Sequence, residues 1–289
     1  MEYIKHSGEV EVTGVCDFDL ERIFECGQCF RWDADENGDY TGVARGLAAR
    51  LRKCGGSVFI SGTVEQFETV WRDYFDLDRD YAAIREQLCV DEFMRKTAKF
   101  GAGIRILRQD KWEALCSFII SQCNNIPRIK KIIAALCSEF GDEIDFQGKI
   151  YHTFPSPQRL ASLDAANLAG IRAGYRAGYI INAARAVADG TVDLDALTNA
   201  SPAEAKAELK KLTGVGDKVA DCAVLFGLHM LDAFPLDVWM KRAVAENYGP
   251  GFDPGIFSPY AGIAQQYIFH YTRNGDHRGS SHFSFEKEK

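Results

Sequence analysis

Met1 to His6 carries no hydrophobic run, so no apolar leader is expected. Nor does any later segment approach the roughly 20 apolar residues that span a bilayer. The nearest candidate, Val219 to Phe234, is interrupted by Asp221, His229 and Asp232. The expectation is a protein without signal peptide or membrane helix, working inside the cell. Internal repeats and low-complexity runs are also missing. No cysteine follows Cys222, and nine cysteines are an odd number, so reduced thiols are expected rather than a disulfide framework. Cys26-Gly27-Gln28-Cys29 spells C-x-x-C, but it lacks the second pair of a zinc site and any strand–helix redox context. A thiol oxidoreductase through Cys26 and Cys29 is kept as an alternative. No metal site is expected from side chains.

Net positive charge is lacking too: the formal charge is −7, which argues at first sight against nucleic acid. The distribution reverses that inference. Met1 to Met94 holds 20 acids against 10 Lys and Arg, whereas Arg95 to Lys131 holds nine Lys and Arg against Asp110 and Glu113. A basic region on an acidic body can steer a polyanion to one face, although the same run could be a solvated helix surface.

What is present describes a globular protein. Hydrophobic content of 46%, charged content of 26% and 289 residues allow one large or two ordinary domains with real cores. From Gly8 to about Thr63 the pattern is strand-like, with Cys54-Gly55-Gly56 turning one strand into the next. Residues 64–74 and 81–88 read as helices, and from Asp91 onward the helical period dominates. Trp112, Leu115, Cys116, Ile119 and Ile120 form one apolar stripe. The predicted architecture is α+β: an N-terminal antiparallel sheet domain over 1–94, a two-lobed helical body over 95–275, and a polar tail over 276–289.

One stretch carries chemistry: Leu212-Thr213-Gly214-Val215-Gly216-Asp217-Lys218-Val219-Ala220-Asp221-Cys222. Good helix formers precede it, two glycines allow a tight reversal, and Asp217 reads as an N-cap. Val219, Cys222, Ala223 and Phe226 then repeat at helical spacing. The result is a helix–hairpin–helix over 203–228, whose exposed N–H groups and positive helix end suit a phosphate. Lys218 lies in the first turn and Cys222 one turn later on the same face. A helix N-terminus and burial both favour the free amine, the form that attacks electrophilic carbon. On this motif alone, gripping phosphate and attacking carbon stand as equal alternatives. Asp237, opening the helical run Val238 to Asn247, supplies a carboxylate that could be a plain N-cap or a catalytic partner.

The segment from Leu212 to Asp237 resembles the helix–hairpin–helix, Gly/Pro-rich loop and aspartate signature of a DNA glycosylase superfamily, and within it the 8-oxoguanine DNA glycosylases. Other segments resemble that family in order. Gly27-Gln28-Cys29-Phe30-Arg31-Trp32 is similar to its base-pocket strand. Arg108-Gln109-Asp110, Ser117-Phe118-Ile119 and Asn124-Asn125-Ile126-Pro127-Arg128 resemble its central helix and DNA-facing loop. Gly174-Tyr175-Arg176-Ala177-Gly178-Tyr179 resembles its wedge loop, and Pro259-Tyr260-Ala261-Gly262 with Gln265 and Phe269 its C-terminal pocket helix.

The resemblance implies a bifunctional glycosylase and lyase acting, as a monomer, on duplex DNA that contains oxidised guanine. Lys218 would attack the sugar and Asp237 would stabilise the developing positive charge. Gly27, Cys222, Gln265 and Phe269 would form the base pocket. Asn124, Asn125, Arg128, Tyr175 and Arg176 would wedge the stack and read the opposite cytosine, and Gly214, Gly216 and Trp239 would contact the DNA backbone. No cofactor is implied, apart from a structural cation that carbonyls around Thr213 and Val215 could bind. The iron–sulfur cysteines of some related glycosylases are missing. Cys123 stands where the family usually has the first of three asparagines, Trp239 replaces a histidine, and Phe226 falls at a variable pocket-side position. A non-catalytic DNA-binding module and an alkyl-base glycosylase, which would not need Lys218, are the competing readings.

Overall fold

The computed structural model describes residues 1–275; the expected tail, 276–289, lies outside the described residues. The N-terminal segment builds a six-stranded antiparallel sheet from β1 (Glu2–Lys5), β2 (Glu9–Thr13), β3 (Trp32–Ala34), β4 (Tyr40–Ala44), β5 (Leu47–Cys54) and β6 (Ser57–Ser61), in the order β1-β2-β6-β5-β4-β3. Helix α1 (Leu20–Phe24) and the helical run of α2 (Val64–Gln66) and α3 (Arg72–Tyr74), joined by a wide turn over Phe67–Trp71, flank it. Strand alternation sends Val10, Val12, Leu51, Val58 and Ile60 to one face, each at most 4% exposed. There they meet Phe24, Trp32, Trp71, Tyr74 and Phe75, with Trp32 stacked on Phe24 at 4.5 Å. The β5–β6 hairpin closes through Gly55-Gly56, since Cys54 pairs with Ser57, as the glycine pair predicts.

The helical body follows: α4 (Tyr81–Gln87), α5 (Glu92–Phe100), α6 (Lys111–Ser121), α7 (Ile126–Phe140), α8 (Pro157–Ala161), α9 (Arg176–Ala188), α10 (Pro202–Leu209), α11 (Asp217–Cys222), α12 (Val238–Asn247) and α13 (Ala261–Asn274). It is not wholly helical. Strands β7 (Glu143–Phe146) and β8 (Lys149–His152) form a hairpin whose turn, Gln147-Gly148, has φ of 54° and 74°. Two consecutive left-handed residues match the twist of a two-residue hairpin, and Gln-Gly is a weaker turn signal than the Asn-Gly pair that marks such turns in sequence.

The two hydrophobic cores interleave along the chain, with Leu107 also in the sheet core. Leu77 belongs to the sheet core, whereas Tyr81, Ile84, Leu88 and Met94 pack with the helical body. Cys26 and Phe30 also sit in the helical core while Cys29 and Trp32 sit in the sheet core. The C-x-x-C motif therefore straddles the seam between them, and Gly27-Gln28 is the crossing point. Arg105, 2% exposed, bolts the seam by donating to the carbonyls of Cys16 (2.8 Å), Asp17 (2.9 Å) and Asp76 (2.7 Å). Among the described residues, no helix is long and apolar enough to cross a membrane.

Candidate active site and DNA-facing surface

Lys218 enters the site because the chain reverses at Gly214. That residue has φ +83°, and a Cβ there would lie 2.2 Å from the Tyr179 ring of α9, so only glycine fits both the turn and the contact. The reversal is secured by the Val215 N–H donating to the Leu212 carbonyl at 3.0 Å. Gly216, not Asp217, is the N-cap of α11, and no side chain caps it. The Asp217 carboxylate turns away to Lys210 at 2.8 Å and Lys206 at 3.4 Å. The first N–H groups of α11 are thus left to an outside acceptor, the arrangement a phosphate oxygen suits.

Asp237 has two jobs. Its Oδ1 accepts the Met240 N–H at 2.8 Å as the N-cap of α12, and the residue also lines a cavity with Lys218. That cavity is lined by Gly27, Phe118, Lys218, Cys222, Phe226, Pro235, Asp237, Gln265, Gln266 and Phe269. Both expected catalytic residues and all four expected base-pocket residues meet in it, from segments up to 242 positions apart. Phe118, Pro235 and Gln266 were not foreseen. Each comes from an apolar or polar run with no local mark of a site, and only packing turns it toward the cavity.

The walls are apolar and the polar groups few. Phe118 stacks on Phe226 with centroids 5.2 Å apart, and the Lys218 Nζ lies 5.3 Å from the Phe118 centroid. Burial pushes the Cys222 thiol up to about 11, against a smaller opposite pull from Lys218, so it stays a neutral wall at physiological pH. Gln265 is 4% exposed and its Oε1 has no partner. Nothing among the described residues donates to the Gly27 carbonyl through the backbone. Gly27 lies in a loop rather than the expected strand: β3 begins only at Trp32, and Gly27 takes φ +83°. A Cβ there would lie 3.6 Å from the Phe269 ring. Gln28 fixes that loop. Its Nε2 donates to the carbonyls of Ile23 (2.9 Å) and Arg105 (2.7 Å), its Oε1 accepts the Leu107 N–H (2.9 Å), and its carbonyl accepts Gln109 Nε2 (2.7 Å).

The outward surface is mixed. Arg128 is exposed, and Asn125 caps α7 by accepting the Arg128 N–H at 3.0 Å. Asn124 Nδ2 donates to the Ile120 carbonyl at 3.2 Å. Cys123 is exposed at φ +47°, a conformation asparagine tolerates and cysteine does not favour. Tyr175 presents its ring at 55% exposure. Its neighbour Arg176 is 4% exposed and donates to the carbonyls of Gln122 (2.9 Å), Cys123 (3.2 Å) and Ala173 (3.3 Å), which braces the loop. Trp239 is 43% exposed beside Val238 at 81%. The basic run is also thinner than its count suggests. Arg105 is buried, Arg108 pairs with Asp76 and Asp73, Lys111 with Asp195, and Lys130 with Glu25 and Asp33. Among the described residues Arg95, Lys96, Lys99, Arg128 and Lys131 remain exposed and outside ion pairs.

Comparison with known proteins identifies the family of the chain. Residues 12–115 match the 8-oxoguanine DNA glycosylase N-terminal domain, and residues 116–252 match the HhH-GPD superfamily base excision DNA repair protein. The N-glycosylase/DNA lyase of Saccharomyces cerevisiae is 32% identical over 255 residues, covering 79% of this chain and 68% of the yeast protein. The structure of Clostridium acetobutylicum 8-oxoguanine glycosylase/lyase, in complex with double-stranded DNA containing cytosine opposite 8-oxoguanine, superposes with a TM-score of 0.90. It is 38% identical and covers 94% of this chain and 98% of the clostridial one. MBOgg1 in complex with a low-affinity DNA ligand gives the same TM-score at 44% identity, covering 94% and 99%. The chain belongs to the 8-oxoguanine DNA glycosylase family of helix–hairpin–helix base-excision repair proteins.

Proposed function

We infer that this chain excises 8-oxoguanine from duplex DNA, preferentially opposite cytosine, and then nicks the strand through a Schiff base on Lys218. The observation that carries the reading is the single cavity that joins Lys218 and Asp237 to Gly27, Cys222, Gln265 and Phe269. The glycosidic carbon is inaccessible inside the base stack, so the damaged nucleotide is extruded into the cavity. The nitrogen lone pair of Lys218 forms a bond to C1′ while the C1′–N9 bond breaks and its electron pair leaves on the base. Ring opening gives the Schiff base, and β-elimination then expels the 3′ phosphate. Asp237 stabilises the positive charge that develops on the sugar. The Gly27 carbonyl accepts the N7–H that 8-oxoguanine has and guanine lacks, and Gln265 meets the Watson–Crick edge between the Cys222 and Phe269 walls.

Tyr175 wedges the stack, Arg128 reads the orphaned cytosine beside Asn124 and Asn125, and the hairpin at Gly214 and Gly216 takes a backbone phosphate with Trp239 nearby. A cation bound by the Thr213 and Val215 carbonyls would strengthen that grip. The protein acts as a monomer, wherever in the cell the DNA is kept. Incubation with duplexes carrying 8-oxoguanine opposite each base, with borohydride present, tests the reading. A covalent adduct lost in Lys218→Gln is the expected result; an adduct that persists in that variant would sink the assignment. Arg128→Ala is expected to lower excision opposite cytosine towards the level for the other bases, and unchanged selectivity would remove Arg128 from this role.

A further inference from the structure

We propose that Ser121 is a positioning residue for Lys218, an inference that rests on Lys218 being the nucleophile. Ser121 is the last residue of α6, 97 positions before Lys218, and its Oγ accepts a hydrogen bond from the lysine Nζ at 3.0 Å. The direction of that bond is fixed. The serine hydroxyl proton is already given to the Phe118 carbonyl one turn back, at 2.8 Å, so only lone pairs face the lysine. Ser121 therefore accepts one N–H and offers no proton in return. With one N–H committed there, the tetrahedral nitrogen keeps its lone pair on another side, free for an incoming C1′.

The surroundings hold both donor and acceptor in place. Phe118 lies under the lysine and is itself stacked on Phe226, so the stem of Lys218 has an apolar bed. Arg176 clamps the carbonyls of Gln122 and Cys123, the two residues after Ser121, which stops the end of α6 from fraying. Lys218 itself springs from the first turn of α11, held by the hairpin. A flexible four-carbon stem ending in a freely rotating amine has no preferred aim by itself. Here it is aimed by one acceptor from another helix.

The test is single-turnover excision of 8-oxoguanine by wild type, Ser121→Ala and Ser121→Thr, with DNA affinity measured in parallel. Alanine is the best helix former and keeps α6 intact. Loss of the acceptor is expected to lower the maximal single-turnover rate by roughly 10-fold, with DNA affinity unchanged. Ser121→Thr, which keeps the hydroxyl, is expected to restore most of the rate. A Ser121→Ala rate equal to wild type overturns the proposal. So does a loss that appears as weakened DNA binding, or one that threonine fails to rescue. If wild type itself gives no borohydride adduct, the underlying reading of Lys218 fails instead, and the two failures are told apart by that control.

Discussion

Gly27 and Gln28 are neighbours in the chain and live under opposite rules. Gln28 is fully buried and both ends of its carboxamide are paired, as is its carbonyl. Gly27, one residue back, lines the cavity, and its carbonyl has no backbone donor. The contrast extends outward from this pair. On the seam side, Arg105 is saturated by carbonyls, and Asp76 receives Arg79 (2.5 Å), Tyr81 (3.0 Å) and Arg108 (3.1 Å). Burial by itself would raise the Asp76 carboxyl, but His229 and Arg79 outweigh it and hold the group well below the usual carboxylate range. On the cavity side, Gln265 Oε1 is an orphan and Lys218 has a single hydroxyl. A buried polar group left unpaired costs about 1–3 kcal/mol. Stability is thus collected at the seam and given up at the cavity, where a ligand completes the bonds. Outside the cavity lining, the His229 Nδ1 and the Tyr267 hydroxyl lack hydrogen-bond partners, while the His229 Nε2 lies 3.4 Å from Asp76 Oδ2.

Breaking the seam is the severest test of this division. Arg105→Met is expected to destabilise the protein by roughly 3–5 kcal/mol in urea melts, because buried carbonyls lose their donor. A loss below about 1 kcal/mol would mean that water replaces the guanidinium and that the seam does not depend on its donors. On the cavity side, Asp237→Asn separates two jobs. Asparagine caps a helix about as well as aspartate, so Tm is expected to hold while excision falls by roughly 10²–10³. A parallel fall in Tm would show that the cap, and not the charge, is what matters. Gln265→Leu is expected to lower excision by about 10–100-fold while leaving stability equal or higher, since the orphan oxygen is removed. Equal activity would sever Gln265 from base recognition.

The pH dependence probes both sides more gently. Burial, aided by Arg22 and Arg273, lowers His270 from 6.5 to about 4. The folded state therefore resists the proton. Above pH 6.5 the stability is complete; as pH falls from 6.5 towards about 4 the unfolded chain is protonated first and stability drains away. His229, also lowered mainly by burial, acts in the same direction, and Asp76 adds its loss only at more acidic pH. Tm is expected to fall between pH 7 and 4.5, and His270→Gln to flatten that slope; an unchanged slope would show that His270 titrates normally. The smallest effect is expected at Cys123→Asn, where the left-handed backbone favours asparagine. A gain of about 0.5 kcal/mol should come with tighter selection of the opposite base.

How much of this could be read from the chain depended on what kind of signal each residue carried. Lys218 and Gly214 were legible because a turn with a left-handed residue needs glycine locally, wherever the rest of the molecule goes. The β5–β6 hairpin was legible for the same reason. The β7–β8 hairpin was not, because Gln-Gly marks a turn poorly. The Asp217 cap failed because Lys206 and Lys210 sit on the preceding helix and draw its carboxylate away. Counting charges over 95–131 overstated the basic face, because ion pairs with Asp76, Asp195 and Glu25 come from distant segments.

The sequence by itself determined the α+β division, the helix–hairpin–helix and the six residues that meet in the cavity, since each rests on local periodicity, turn chemistry or a matched motif. Only the tertiary structure decided that Arg176 braces the carbonyls of Gln122 and Cys123, that Phe118 and Gln266 complete the cavity, and that Ser121 aims the lysine. Those roles depend on which donor meets which acceptor across 50 to 240 positions. Local periodicity carries no record of that distance; it is settled when the two cores pack and bring the donors and acceptors together.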